Sequence, residues 1–138
     1  ILSLFPDEEI VIEESHLIFD KSTGTDVSGS ALLLIDSRIH CRLEWSYNTS
    51  YRNEVDLWGA KSSLFTKKIF SKDKDYIPTF IISNINGEIS EIEIEKSNHF
   101  LSMLNFFSKT ITDENFAKEQ RSQISRLAEC LSRINKIG

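Results

Sequence analysis

The sequence predicts an α+β fold, in which an antiparallel β-barrel or strongly curved sheet of about seven strands precedes two C-terminal α-helices. Three observations support this prediction. Short apolar and β-branched runs, separated by short polar connections, extend over about residues 9–95. The dipeptide Asn86-Gly87 indicates a tight hairpin, because both of its turn positions favour a positive φ. After this hairpin, apolar residues recur at the spacing of a helix rather than that of a strand.

Length and composition predict a single domain over residues 1–138. A chain of this length buries roughly two-thirds of its unfolded surface, so it needs neither disulfides nor a metal for stability. No apolar run approaches the about 20 residues of a membrane helix, and the N-terminus lacks the pattern of a signal peptide. Because the chain begins with Ile1 rather than Met, we expect it to be a fragment or a trimmed piece.

The clearest strand signal lies between Arg38 and Tyr47. Alternate positions are apolar and polar there, which is typical of an antiparallel strand with one buried face. Residues 21–30 have the composition of a loop. Further strands are predicted at Glu9–Asp20 (with a break near Ser15), Ala31–Ile35, Glu54–Trp58, Leu64–Phe70, Phe80–Ile85 and Glu88–Glu95.

The two predicted helices span about residues 98–109 and 113–137. Ser97 or Asn98 is suited to cap the first helix, Thr112 or Asp113 begins the second, and Gly138 is a natural stop. The first helix repeats apolar side chains at helical spacing, at Phe100, Leu104, Phe107 and Ile111.

Strands that close into a small barrel, followed by a helix that plugs one end, resemble the pleckstrin-homology superfold in the order of their elements. The resemblance implies a binding domain. The first two strands and their loop carry acidic residues and few bases, which favours a protein or peptide ligand over a lipid head group. No residue of a specific site follows from the order of elements alone.

The charge distribution excludes one function class and leaves another open. The formal net charge of −5 argues against binding nucleic acid by phosphate neutralisation. The first twenty residues carry six acids and no base, whereas residues 61–74 carry five lysines and the single acid Asp73. An acidic surface that faces a basic protein partner is one interpretation, and charge that only keeps the protein in solution is the other.

The leading functional prediction is a non-catalytic protein–protein interaction domain, such as an acidic immunity or inhibitor protein or an adaptor. No catalytic residue, metal ligand or cofactor is predicted, because strand alternation sends His40 and Cys41 to opposite faces. The two cysteines, Cys41 and Cys130, have no metal-type spacing, so a reducing compartment such as the cytoplasm is expected and their pairing is left open.

The predicted contact surface has three parts. Tyr51 and Arg52 lie in a loop with the composition of an interface hot spot, and Glu91 and Glu93 form an acidic strand edge. The third part is one face of the last helix. That face also fits heptad spacing, so association with a second copy is the alternative to packing against the chain itself. Its residues are Ile124, Leu127, Leu131 and Ile134.

Two alternative functions remain. Glu54-Val55-Asp56 opens a strand in a way that resembles the metal-binding carboxylates of restriction-endonuclease-like nucleases, which hold Mg²⁺ between paired acids. The Glu-x-Lys that such nucleases need on the adjoining strand is missing before Lys67 and Lys68. The second alternative is a lipid- or small-ligand-binding barrel, because the mouth of a barrel is a usual pocket site.

Overall fold

A computed structural model of the chain describes residues 1–47, 49–73 and 75–138. The described residues contain two antiparallel sheets, ordered β1-β2-β3 and β4-β5-β6-β7, and two helices. The chain divides into a first unit of residues 1–49 and 109–138 and a second unit of residues 50–108. The elements are β1 (Ile10–Phe19), β2 (Asp26–Ile35), β3 (Ile39–Ser46), β4 (Glu54–Trp58), β5 (Ser62–Lys67), β6 (Thr79–Asn84), β7 (Ile89–Glu93), α1 (His99–Thr112) and α2 (Glu114–Ile137).

The predicted barrel is wrong, and the resemblance to the pleckstrin-homology superfold fails with it. Within the described residues, one hydrogen-bonded ladder ends at β3 and another begins at β4, so no seven-stranded sheet exists that could close. The helices lie where the sequence predicts them, although α1 continues to Thr112. That residues 1–138 form a single domain stays a prediction.

The first sheet is a meander whose inward face is set by a bulge. Ile10 and Ile12 are buried, and the ladder between β1 and β2 then shifts between Ile12 and Glu14. Because of the extra residue, the next side chain that points toward the core is that of Ser15 rather than that of Glu14. The predicted break near Ser15 is therefore a bulge two residues earlier, and β1 continues as one strand to Phe19.

β2 supplies the centre of the core of the first unit. Ala31, Leu33 and Ile35 alternate along this strand with at most 3% exposure, and Ile35 is fully buried. β2 begins at Asp26, which corrects the prediction of a loop over residues 21–30. The turn from β2 to β3 places Asp36 and Ser37 at φ 49° and 55°, the left-handed conformation that was expected at Asn86 and Gly87.

Gly29 lies in register between Leu17 on β1 and Trp45 on β3. Both larger side chains cover the space above it, since a Cβ added there would lie 2.8 Å from Trp45 Cε2 and 2.9 Å from Leu17 Cδ2. The indole is held in place by its Nε1–H, which donates to Asp26 Oδ2 at 2.8 Å. The absence of a side chain at residue 29 is thus what allows the indole to approach the backbone of β2 this closely.

α2 packs against β1 and completes this core. Ile134 is the α2 side chain that is buried within the apolar cluster, and Cys130 packs at the edge of that cluster. The buried hydroxyl of Ser15 donates to the Ile134 carbonyl at 2.6 Å, which satisfies a group in the last turn. Asp113 caps the other end by accepting from the Phe116 amide at 3.0 Å.

Arg126 on α2 ties down the segment that precedes β1. Its Nη1 donates to the Phe5 carbonyl at 2.9 Å and also to the Pro6 carbonyl, and its Nη2 donates to the Glu8 carbonyl. A guanidinium presents several donors in one plane, so one side chain can satisfy three backbone acceptors. Leu2 and Phe5 then pack against the core.

The second unit is a four-stranded meander with little buried apolar surface. Among its described residues only Thr66 is buried, and no large apolar side chain is. The β6–β7 connection uses Gly87 at φ 81°, whereas Asn86 has no positive φ, and the Asn84 amide donates to the Glu88 carbonyl at 3.0 Å. This is a three-residue loop with glycine in the left-handed position, so the two-residue turn predicted there is wrong.

α1 is apolar yet buries none of its side chains. Asn98 caps it, as predicted, by accepting from the Phe100 and Leu101 amides at 3.1 and 3.2 Å. Its large apolar side chains are 49–69% exposed, namely Phe100, Leu101, Met103, Leu104, Phe106, Phe107 and Ile111. No helix among the described residues is long and apolar enough to cross a membrane.

Candidate functional site

The most organised polar site in the second unit lies beside the β5–β6 loop and is built around Asn53. The Asn53 side-chain nitrogen donates to Tyr51 Oη at 2.9 Å and to the Ser71 carbonyl at 3.1 Å, and its Oδ1 accepts from the Phe70 amide at 3.0 Å. The Asn53 carbonyl also accepts from the Lys68 amide at 2.6 Å. One residue before β4 therefore fixes the loop that follows β5.

A pocket of about 240 Å³ lies against this loop. Two cations, two hydroxyls and one carboxylate surround it, and none of the lining residues is aliphatic. Such a lining suits a polar ligand with negative charge rather than an apolar one. The lining residues are Tyr51, Lys68, Ser71, Lys72 and Asp73.

Three contacts orient the two lysines of the pocket. The Lys68 ammonium lies 4.9 Å from the ring centroid of Tyr76 and 3.6 Å from Asp73 Oδ2. Lys72 Nζ donates to Ser97 Oγ at 3.2 Å. Lys68 also has a φ of 54°, a conformation that a side-chain-bearing residue adopts at some cost and that is often associated with functional sites.

The carboxylate of this pocket is loosely held. The Asp73 side chain is 86% exposed, and its 3.6 Å separation from Lys68 is long for an ion pair. Exposed pairs of this kind contribute at most about 1 kcal/mol. A ligand that carries two negative charges can therefore displace Asp73 from Lys68 at small cost.

Of the loop residues proposed as contacts, Tyr51 lines this pocket with 75% of its surface exposed. Arg52 instead pairs with Glu54 Oε1, its Nε lying 2.6 Å away. Glu91 and Glu93 lie on β7, an exposed strand at the edge of the second sheet. A basic protein partner for that edge stays a prediction.

The α2 residues proposed as contacts fall into two groups. Ile124, Leu127 and Leu131 are exposed in this structure. Ile134 is 7% exposed and belongs to the core of the first unit, because α2 turns that face toward β1. Ile134 therefore serves packing within the chain, while association with a second copy through the other three residues stays a prediction.

The carboxylates proposed for a nuclease-like site do not form a metal centre. Glu54 is paired with Arg52, and Asp56 lies opposite Phe65 in the ladder between β4 and β5. Among the described residues no group of three or more His, Cys, Asp or Glu side chains could hold a metal ion. The nuclease alternative therefore lacks the paired ligands on which it depends.

The sequence does not mark Lys68, Ser71, Lys72 and Asn53 as residues of one site. Its one signal there is the excess of lysine over residues 61–74, which by itself indicates only a charge pattern. The last of these lysines, Lys74, lies outside the described residues. The role of Asn53 has no signature in the sequence, because it depends on hydrogen bonds to residues 17 and 18 positions away.

Comparison with known proteins finds this fold in solved structures of a 3-ketoreductase. No protein-family model and no curated protein sequence matches the chain. A crystal structure of a lysine-to-alanine mutant of KijD10, a 3-ketoreductase from Actinomadura kijaniata in complex with TDP-benzene and NADP, matches with a TM-score of 0.89. It is 16% identical, and the match covers 99% of this chain and 43% of that chain.

Further structures of the same enzyme agree. The open conformation of KijD10 with TDP-benzene and NADP matches with a TM-score of 0.76 over 88% of this chain and 40% of that chain. A lysine-to-glutamate mutant matches with a TM-score of 0.77 over 90% and 40%. Both are 16% identical to this chain. The chain therefore spans less than half the length of these neighbours, and at this identity the likeness establishes the fold.

This likeness corrects the functional prediction. The chains that share the observed fold are those of a 3-ketoreductase, which contradicts the predicted non-catalytic interaction domain and the expected absence of enzymatic activity. The ligand-binding barrel fails with the barrel itself, since the described strands form two separate sheets.

The cofactor of these neighbours does not fit the described residues of this chain. Dinucleotides bind where a parallel strand passes through a glycine-rich turn into a helix. All strand pairs described here are antiparallel, and no two of the five glycines are spaced as Gly-x-Gly. No step of a reaction that uses NADP can be assigned to residues of this chain on that basis.

Proposed function

We propose that this chain forms the substrate-side part of an NADP-dependent ketoreductase that reduces a ketone carried on a nucleoside diphosphate. The observation that carries this proposal is the match of 99% of the chain, with a TM-score of 0.89, to 43% of a 3-ketoreductase solved with TDP-benzene and NADP. Dinucleotide binding then falls to a separate part of the enzyme, since the described residues offer no glycine-rich turn for it.

The exposed apolar surface of the second unit supports the assignment of dinucleotide binding to a separate part of the enzyme. Within this unit, α1 exposes six large apolar side chains, and the four-stranded sheet buries no large apolar side chain among its described residues. A sheet or helix normally buries one face against another layer. Large exposed apolar patches are typical of surfaces that are covered in a larger assembly. The structural match favours a nucleotide-binding part of the same enzyme as the layer that packs against this apolar surface.

A cytoplasmic location is part of the proposal. Cys41 and Cys130 are both free thiols in the structure, which suits a reducing compartment. NADP-linked reduction of a ketone fits the same compartment.

A reductase assay on the protein at its natural length tests the proposal. Oxidation of NADPH, followed by absorbance, is expected to depend on a TDP-linked ketone and to stop when the ketone is replaced by its alcohol. NADPH consumption that is independent of the ketone, or no consumption with any nucleotide-linked ketone, would contradict the proposed function.

A further inference from the structure

We propose that the pocket lined by Tyr51, Lys68, Ser71, Lys72 and Asp73 binds the diphosphate of the nucleotide-linked substrate. The inference rests on the proposed function for the identity of the ligand and on the geometry of the pocket for its location. It assigns no part of the pocket to the phosphates of NADP.

The charge of the pocket favours a diphosphate. Lys68 and Lys72 supply two ammonium groups, against the one carboxylate of Asp73. Hydrogen bonds from ammonium groups to phosphate oxygens are shorter and stronger than neutral ones. Because the chain as a whole carries a net charge of −5, a site with an excess of cations is a local exception and not a general property of the surface.

The pocket is organised before any ligand arrives. Asn53 fixes the Phe70 amide and the Ser71 carbonyl of the loop, so the backbone between the two lysines is held from outside the loop. Tyr51 Oη accepts from Asn53, which leaves the Tyr51 hydroxyl as a donor for an oxyanion. A loop ordered in advance loses less conformational entropy when it binds.

The size of the pocket limits which part of the substrate it holds. Its volume of about 240 Å³ is below the roughly 300–1,000 Å³ of pockets that enclose a whole small molecule. A diphosphate is one part of such a molecule. The nucleoside and the ketone would then extend from the pocket in opposite directions, which suits an open pocket at the edge of a loop.

Titration of the protein at its natural length with TDP, followed by isothermal calorimetry, tests the inference. We expect Lys68→Gln and Lys72→Gln each to weaken TDP binding by about tenfold, because each removes one charged hydrogen bond at a partly exposed site. Asp73→Asn is expected to strengthen binding, since it removes a negative charge next to the diphosphate. Lys61→Gln makes the same charge change in the β4–β5 turn of the same unit, at a residue that does not line the pocket, and is expected to leave binding unchanged.

Two further probes identify the ligand. Inorganic pyrophosphate is expected to compete with TDP, and NADP⁺ is expected not to. Added salt should weaken TDP binding, because screening reduces the attraction of exposed charges. Circular dichroism of each variant confirms that it is folded. If Lys68→Gln disturbs the left-handed backbone at residue 68, Lys72→Gln carries the test alone.

The possible results separate the inference from the proposed function. If TDP binds equally to the wild type and both lysine variants, or if NADP⁺ displaces it, the location is wrong. Failure of TDP to bind the wild-type protein at its natural length also overturns the inference. In each case the ketone-dependent oxidation of NADPH still decides the proposed function independently.

Discussion

Replacing Gly29 by alanine tests the packing of the first unit. The added Cβ would lie 2.8 Å from Trp45 Cε2, 2.9 Å from Leu17 Cδ2 and closer still to Trp45 Cζ2. Carbon atoms in contact are about 3.5–4.0 Å apart, so the indole would have to move by roughly 1 Å. Its hydrogen bond to Asp26 opposes that movement. We expect the free energy of unfolding to fall by about 1–3 kcal/mol, as for other overpacked cores.

Urea denaturation, followed by circular dichroism, measures this loss as a lower midpoint at an unchanged slope. Ser30→Ala is the matched control, because the neighbouring residue on β2 already has a Cβ, and its effect should stay within about 0.5 kcal/mol. Trp45→Phe provides a double-mutant cycle: the smaller ring should reduce the penalty of Gly29→Ala. If Gly29→Ala and Ser30→Ala unfold at the same urea concentration, the close approach of Trp45 to the backbone is refuted.

Three further predictions concern single polar groups. Ser15→Ala removes the buried hydroxyl that donates to the Ile134 carbonyl. The free energy of unfolding should fall by about 1–2 kcal/mol in the same urea experiment. An unchanged urea midpoint would count against that hydrogen bond. Asp113→Ala removes the N-cap of α2 and should lower the free energy of unfolding by about 1 kcal/mol. Asp113→Asn, measured in parallel, should retain most of that stability, because asparagine also caps helices. Equal losses in the two variants would argue against a capping role. The Ser22 hydroxyl and nearby amides lower the pKa of Asp20 from 3.8 to about 2. Because the folded pKa is the lower one, the contribution of this carboxylate to stability is complete above about pH 4 and is lost as the pH falls toward 2. A side-chain NMR titration of Asp20 with a midpoint near 3.8 would disprove this.

The local signals in the sequence were reliable where one residue determines the structure. Asp113 and Gly138 bound α2 as predicted, and the alternation of β3 agrees with its half-buried and exposed positions. Tyr47, the last residue of the predicted alternation, is 79% exposed because β3 ends at Ser46. Patterns of this kind report a strand or a helix, but they do not report which strands are neighbours.

The barrel could not be excluded from the sequence because strand pairing depends on residues far apart in the chain. Asn86-Gly87 has the composition of the tightest turn, yet Asp36 and Ser37 are the two consecutive residues that take a positive φ. Neither the β2–β3 nor the β6–β7 ladder shifts its register beside the turn. Turn composition alone therefore does not determine which positions adopt the left-handed conformation.

The candidate site was predicted only in part for a related reason. Tyr51 was identified from its type and its loop, and it does line the pocket. The lysines that surround the same pocket lie in another loop, and Asn53, which joins the two loops, resembles any other polar loop residue. Residues that act by holding others in position have no distinctive side-chain chemistry to recognise.

The bond between Ser15 and Ile134 joins positions 119 residues apart, and the whole second unit lies between them in the chain. During synthesis, the three-stranded sheet must therefore wait for α2 to leave the ribosome before its apolar face is covered. Contacts so distant in sequence slow folding, and an open sheet face invites aggregation in the meantime. Newly made chains of this protein should accordingly depend on chaperones until α2 has emerged.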